Sequence, residues 1–326
     1  MILALGRLSG LPESVRKEKK SLFTPPYSRP SLELFNKHCD QVIETFNLDT
    51  LHVQARAIKC SIGENKVRVG LSNGSEFEAN KVILALGSSE HPNWPSWASP
   101  NSPYIHHIFD PGFEGWPPSR ETVVVVGGGI SAAQVALRLI NEGQHVHMIS
   151  PHPLREHQFD SDPGWLGPKN MTNFSREQDL ERRRGLITEA RHKGSIPREV
   201  WIKINKSIIA GKLQWHDGEV LGVSERSDVL RLLLSSGSVI DVNRVLLATG
   251  FCSECPGGEL VDQLSQSASL PRAKCGYPVV DKALRWHPRV FVTGPLAELE
   301  LGPASRNISG ARRAGDRIIS LGAEAS

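Results

Sequence analysis

The residues best placed to do chemistry are six in a row. Thr122 to Val126 is a β-branched run, followed at once by Gly127-Gly128-Gly129-Ile130-Ser131-Ala132 and an apolar, helix-forming stretch from Ala133 to Asn141. A G-x-G-x-x-A spacing between a strand and a helix is the arrangement that holds the pyrophosphate of a dinucleotide. Gly127 permits the tight turn, and Gly129 lets the backbone come close to the phosphates. Ala132 lets the helix pack near the sheet, and Ser131 lies in the first helical turn. The unpaired N–H groups and the positive end of the helix dipole then face the anion. The competing reading is a glycine-rich loop of an α/β fold that binds nothing.

The next strand, Val146 to Ser150, ends where an NAD site would carry an acidic residue for the ribose 2′-OH. Ser150 stands there instead, with Arg155 shortly after and no carboxylate between. A hydroxyl followed by a guanidinium suits a 2′-phosphate, so Ser150 and Arg155 point to NADPH rather than NADH. Arg182, Arg183, Arg184 and Arg191 could add to this charge or form a solvated helix face.

The elements that position these residues belong to an internal repeat. Residues 73–87 and 236–250 align without gaps at an offset of 163, with seven identities in fifteen positions. Each copy reads as a turn, a short strand and an apolar strand closing on Ala-x-Gly, and each follows further alternating strands. The glycine loop belongs to the second copy. Carried back from Ala85, the same loop-to-strand spacing falls before residue 1, although a long insertion at 151–193 stretches that spacing. No G-x-G-x-x-G occurs before residue 70, and Gly6 to Gly10 has the wrong spacing. The expectation is a C-terminal part of a longer protein or a chain that has lost its first nucleotide site.

Composition closes off other classes. The chain has 326 residues, 39% hydrophobic and 22% charged, with no apolar stretch long enough for a membrane span. A net charge of +3 is too mild to imply nucleic acid, and five scattered cysteines argue against a secreted disulfide scaffold. Met1 to Leu5 is too short for a signal-peptide core. A cytoplasmic protein with a small-molecule substrate is expected; the sequence does not fix the oligomeric state.

Taken together, the order of an Ala-x-Gly strand, a Pro/Trp-rich hinge, GGGISAAQ at 127–134, a second ATG strand and a C-terminal Gly strand resembles the two-dinucleotide flavoprotein monooxygenases. Ser-Ala after the glycines, and Asn243-x3-Leu247-Ala248-Thr249-Gly250-Phe251-x4-Pro256, are similar to the ornithine and lysine N-hydroxylase branch. The resemblance covers roughly residues 65–320. It implies an α/β fold of two Rossmann-like dinucleotide-binding domains, with the NADPH domain inserted into an N-terminally incomplete FAD domain. The FAD domain would comprise 1–118 and 250–326, and the NADPH domain 119–249 with a helical insertion at about 151–211. It further implies that NADPH reduces FAD and that reduced flavin and oxygen hydroxylate an amine nitrogen or a sulfur. Gly87, Gly250, Gly294 and Asn307 are then the cofactor-side candidates outside the loop, with the Asn307 helix facing the flavin. Leu86 replaces the family's usual Thr, and the Baeyer–Villiger fingerprint is not met around Tyr104 to Asp110. No catalytic side chain is nominated, because the cofactor carries this chemistry. A pyridine-nucleotide reductase and an NADPH-binding remnant without flavin chemistry remain open.

Several features carry weaker signals. Cys252-Ser-Glu-Cys255 has dithiol spacing but stands directly after ATGF, and with only Cys275 nearby no metal site is assembled. Ser175-x-x-Gln178 predicts a capping box opening a helix to about Lys193, and a second helix is expected from Pro197 to Gly211. Ser31 to Phe46 predicts an amphipathic helix whose Leu32, Phe35, Cys39, Val42, Ile43 and Phe46 stripe belongs in the core. Tyr27 and Arg29 precede it as flavin-side candidates by position alone.

Overall fold

In the computed structural model, the described residues are 23–24, 29–226 and 228–322. The Met1–Leu5 run, the Gly6–Gly10 segment and Tyr27 lie outside them, as does the Arg29 side chain.

The two repeats fold alike. The first copy is an antiparallel meander, β1 (Ala57–Ile62), β2 (Val67–Leu71) and β3 (Glu76–Ala79), leading into β4 (Val82–Leu84). Strand β5 (Ile105–His107) follows the hinge. Strand β6 (Thr122–Val126), helix α2 (Ile130–Asn141) and strand β7 (His145–Ser150) then form the glycine-loop unit; α1 (Leu32–Thr45) lies earlier in the chain. After an insertion carrying α3 (Pro168–Arg176), α4 (Leu180–Glu189) and α5 (Arg198–Ile209) come β8 (Leu213–Asp217) and the second meander. That meander is β9 (Val220–Arg226), β10 (Val229–Leu234) and β11 (Val239–Val242), leading into β12 (Arg244–Leu247). The turn chemistry of the copies matches bond for bond. Gly74 N–H donates to the Leu71 carbonyl at 3.0 Å and Gly237 N–H to Leu234 at 2.9 Å, with φ of 84° and 81°. That left-handed backbone is why both turns end in glycine.

The second copy sits in a five-stranded, wholly parallel sheet of order β8-β7-β6-β12-β5. Its strands are buried on both faces, which explains the unbroken valine run. Val123 and Val125 pack with α2 and α5, while Val124 and Val126 pack with the β9–β11 meander. Strand β5, N-terminal to the expected boundary at 119, completes this sheet.

The first copy is less complete. Strand β4 pairs in parallel with β14 (Val290–Val292), itself antiparallel to β13 (Arg285–His287), and among the described residues its other edge has no partner. In the second copy, β12 is flanked on both sides by β5 and β6. The contrast shows in equivalent residues: Ile83 is 52% exposed and Leu246 is 0% exposed. Helices α6 (Gly258–Ser267), the short α7 (Glu298–Leu301) and α8 (Ile308–Gly322) close the chain. No described helix is long and apolar enough to cross a membrane.

Two expectations are corrected. Helix α1 forms as expected, capped by the Ser31 hydroxyl, yet none of its residues is buried, and Leu32 and Phe46 are 75% and 68% exposed. Periodicity fixes which face of a helix is apolar; burial also needs an element to cover it, and among the described residues the stripe is covered only far enough to half-bury Phe35, Cys39 and Ile43. Ser175 does not open a helix. It lies near the end of α3, where its hydroxyl donates to the Met171 carbonyl at 2.8 Å, and Asp179 caps α4 instead. The overlooked signal was Pro168 just after Gly167, a proline at the first helical position. The helix from Pro197 is present as α5, with Pro197 at its N-cap and Gly211 at φ 68° just beyond its end.

Candidate dinucleotide site

The loop between β6 and α2 has the geometry that its glycines require. Gly127 adopts φ 146°, and a Cβ there would stand 2.4 Å from the Ala248 carbonyl oxygen at the end of β12. Its amide is tied to the Ile149 carbonyl at 2.8 Å, so the turn is fixed to both neighbouring strands. Gly129 is the N-cap of α2 and has no side chain to occupy the helix's first amides. Those donors are left to a ligand or to water. Ala132 is fully buried behind the loop, while Ser131 is half-buried on its open side.

The loop opens on a cleft of about 930 Å³ that runs to the insertion and to the Thr249–Ser253 segment. Gly127, Gly129, Ser131 and Gly250 all line it. Gly250, at φ 77°, turns the chain away from β12, and Phe251 stacks on Phe109 with ring centres 4.8 Å apart. The strand end is held by a short chain of hydrogen bonds. The Thr249 hydroxyl donates to the Asn93 carbonyl at 2.5 Å and lies 3.1 Å from Nε2 of the buried His107. Burial holds the His107 imidazole below its ordinary titration range.

Ser150 and Arg155 are not brought into this cleft. Ser150 is fully buried, donating to the His152 carbonyl at 2.7 Å and accepting from the Trp215 indole at 3.2 Å. Arg155 is exposed in a two-residue parallel pairing with Ser195. The basic residues lining the cleft next to the loop are His152 and Lys193, which the sequence did not single out. The His152 ring lies between two glycines: a Cβ on Gly128 would approach it to 2.8 Å and one on Gly194 to 2.5 Å. It thereby joins the insertion to the phosphate loop. Nearby, His157 and His192 stack with centroids 3.8 Å apart, and burial followed by the His192 charge lowers the pKa of His157.

The insertion arginines are not a solvated face, except for Arg182, which is exposed and paired with Glu177 at 2.9 Å. Arg183 is buried on Glu300, and Arg184 is paired with the fully buried Glu298. The remaining candidates gather at the other sheet. Gly87 (φ 69°) and Gly294 (φ 61°) end the adjacent parallel strands β4 and β14, at the carboxyl edge where α/β sheets hold ligands. Asn307 caps α8, its side-chain oxygen accepting from the Gly310 amide at 3.0 Å. Their chain neighbours Ser88 and Arg306 line the same cleft as the loop. The two groups of candidates therefore adjoin through one space.

All five cysteines are free. Cys252 lines the cleft, whereas Cys255 packs among apolar residues and burial pushes its thiol up to about 11. A thiol so held is not a nucleophile at neutral pH. Among the described residues no group of His, Cys, Asp or Glu is arranged to hold a metal ion.

With two parallel-strand units and a phosphate loop in place, comparison with known proteins agrees with this class. Residues 9–187 match the model of the pyridine nucleotide-disulphide oxidoreductase family, and the chain belongs to that family. A curated ferredoxin–NADP reductase of Ignicoccus hospitalis is 31% identical over 96 residues, a match spanning 29% of this chain and 30% of that reductase. Among solved structures, ornithine hydroxylase PvdA of Pseudomonas aeruginosa superposes with a TM-score of 0.70 at 16% identity, over 92% of this chain and 78% of that one. L-lysine 6-monooxygenase of Pseudomonas syringae gives 0.64 at 19%, covering 92% and 83%. Bacillithiol disulfide reductase of Staphylococcus aureus gives 0.64 at 16%, covering 93% and 80%. At these identities the likeness is one of fold.

Proposed function

We propose that this chain is an NADPH- and FAD-dependent oxidoreductase that hydroxylates an amine nitrogen or a sulfur of a small molecule in the cytoplasm. The observation that carries the reading is the bare helix start at Gly129, opening on a cleft that extends to the carboxyl edge of the second sheet. The pyridine nucleotide fits the loop. The first amides of α2 would hold its pyrophosphate, and His152 and Lys193 supply positive charge where β7 ends without a carboxylate. The fit to FAD rests on the return half: the Gly87 and Gly294 turns and the capped start of α8. No strand–glycine-loop–helix unit for its pyrophosphate lies among the described residues. Bound FAD would accept hydride from NADPH and pass electrons to oxygen. The chain's part is to hold the nucleotide against the cleft wall, with Thr249 and Phe251 fixed by Asn93 and Phe109. We assign residues 119–249, joined by β5, to the nucleotide and 250–326 to the flavin.

The thiol environment favours this reading over a dithiol reductase, since Cys255 is half-buried among apolar residues and its thiol raised. The test is a visible spectrum of the purified chain before and after NADPH addition in air. Flavin bands that bleach and then recover with oxygen support it. A colourless protein that still binds NADPH keeps the nucleotide site and ends the monooxygenase reading.

A further inference from the structure

Five arginines converge where α4 meets the segment around α7 and α8, and their partners do not balance. Arg183 and Arg317 share Glu300, at 3.0 and 2.9 Å. Arg184 and Arg306 share Glu298, whose carboxylate is fully buried. Among the described residues Arg191 has only Asp160, 4.0 Å away with its side chain 70% exposed, and the Pro303 carbonyl at 3.2 Å. One buried and one half-buried carboxylate thus face five guanidiniums. The Nε of Arg191 is buried with no hydrogen-bond partner among the described residues.

The flanking pair is held still. Arg184 lies over the ring of the buried Tyr277 at 4.6 Å, and Arg306 donates to the Tyr277 hydroxyl at 3.1 Å. Arg184, Arg191 and Arg306 all line the cleft. Burial, and after it the charge of Arg306, pulls the pKa of Arg191 down to about 10, which leaves it charged at neutral pH. An inward-facing cation without a full counter-charge is costly to fold around, and a guanidinium fork with an unused donor suits a two-oxygen acceptor.

We propose that Arg191, flanked by Arg184 and Arg306, forms an oxyanion-binding subsite at the insertion end of the cleft, taking a carboxylate or phosphate group of a bound small molecule. The anion has two sources, the 2′-phosphate of the nucleotide or a group on a second molecule. Neither depends on flavin chemistry, so the subsite stands or falls apart from the proposed reaction.

The experiment compares the full wild-type chain with Arg191→Met and Arg191→Lys. Thermal unfolding is followed with inorganic phosphate against chloride at equal ionic strength, and NADP⁺ and NAD⁺ are titrated separately. Wild type should be protected by phosphate beyond the chloride control, and Arg191→Met should lose that protection, with affinity down at least about tenfold. Without phosphate, Arg191→Met should unfold no lower than wild type, because it removes a charge that the distant, exposed Asp160 balances only weakly. A loss of NADP⁺ affinity with NAD⁺ unchanged would assign the subsite to the nucleotide. Unchanged affinity for both, with phosphate protection gone, would assign it to a second molecule. The proposal is overturned if wild type gains nothing specific from phosphate and no variant alters nucleotide binding. It is also overturned if Arg191→Met unfolds several degrees lower with its phosphate response intact, since Arg191 would then be only a tie between the insertion and Pro303. Should Arg191→Met fail to fold, Arg191→Lys, which keeps the charge but not the fork, must still bind phosphate several-fold more weakly.

Discussion

Two neighbouring glycines, substituted one at a time, separate what the loop does for folding from what it does for binding. At Gly127 the backbone has φ 146°, and an alanine Cβ would meet the Ala248 carbonyl oxygen at 2.4 Å, with no flexible side chain to give way. Forcing a residue into that backbone region costs about 1–3 kcal/mol. Overpacking against a fixed strand end adds about 1–3 kcal/mol more. Gly127→Ala should therefore lose about 2–6 kcal/mol, a large share of the roughly 5–15 kcal/mol that holds a domain together. At Gly129 the backbone is extended, φ −94°, and the nearest atom to an added Cβ is the Gly194 Cα at 3.6 Å, an ordinary contact. Gly129→Ala should cost at most about 1 kcal/mol as an N-cap change. It would nonetheless place a methyl group where the phosphates approach, lowering NADPH affinity by at least about tenfold, or 1.4 kcal/mol. Urea unfolding followed by tryptophan fluorescence measures the first quantity, and titration with NADPH measures the second. If Gly129→Ala binds NADPH like wild type, the loop is not the pyrophosphate site. If Gly127→Ala unfolds within about 1 kcal/mol of wild type, the clash with β12 has been misjudged.

Two further outcomes are expected. His147 and His216 lie ring on ring in the parallel sheet, 3.0 Å between Nδ1 and Nε2, and burial, foremost in both, lowers their pKa below the ordinary 6.5. The unfolded chain then binds more protons, so stability should be full above about pH 6.5 and fall as pH drops below it. His147→Gln should flatten that acid limb in pH-dependent urea unfolding. For the thiols, Cys255→Ser should lower stability by roughly 1 kcal/mol through a poorly matched hydroxyl while leaving NADPH oxidation unchanged. An oxidation rate that collapses in both Cys255→Ser and Cys252→Ser would restore the dithiol reading.

The phosphate loop was legible in the sequence because its signal is local: a β-branched strand, three glycines and a helix lie within twenty residues, and each glycine answers to a backbone need. The repeat was legible for a similar reason, since Gly74 and Gly237 close identical turns. Other features depended on residues far apart in the chain. Ser150 sits at the right place along β7, but whether its hydroxyl faces the cleft is decided by Trp215 on β8 and by the path of Pro151 and His152. His152 carried no motif, and its role comes from glycines 24 residues before it and 42 after it. The apolar face of α1 was readable as a stripe, yet burial is a property of two surfaces. Ser175 misled because a serine near a helix C-terminus bonds back to its own carbonyl ladder as readily as one at an N-terminus caps amides.

Among the described residues one side of β4 is unpaired, which carries a consequence for how the chain behaves when concentrated. A strand three residues long, Val82 to Leu84, presents its backbone N–H and C=O groups along one side, with Ile83 open to water beside them. Such a line accepts any extended segment laid against it, and the segment most abundant in a concentrated sample is another molecule's β4. Net charge, only +3 over 326 residues, offers little repulsion to prevent that encounter. Self-association should therefore start at this strand rather than at the cleft, and a single Ile83→Lys substitution should raise the concentration at which it begins.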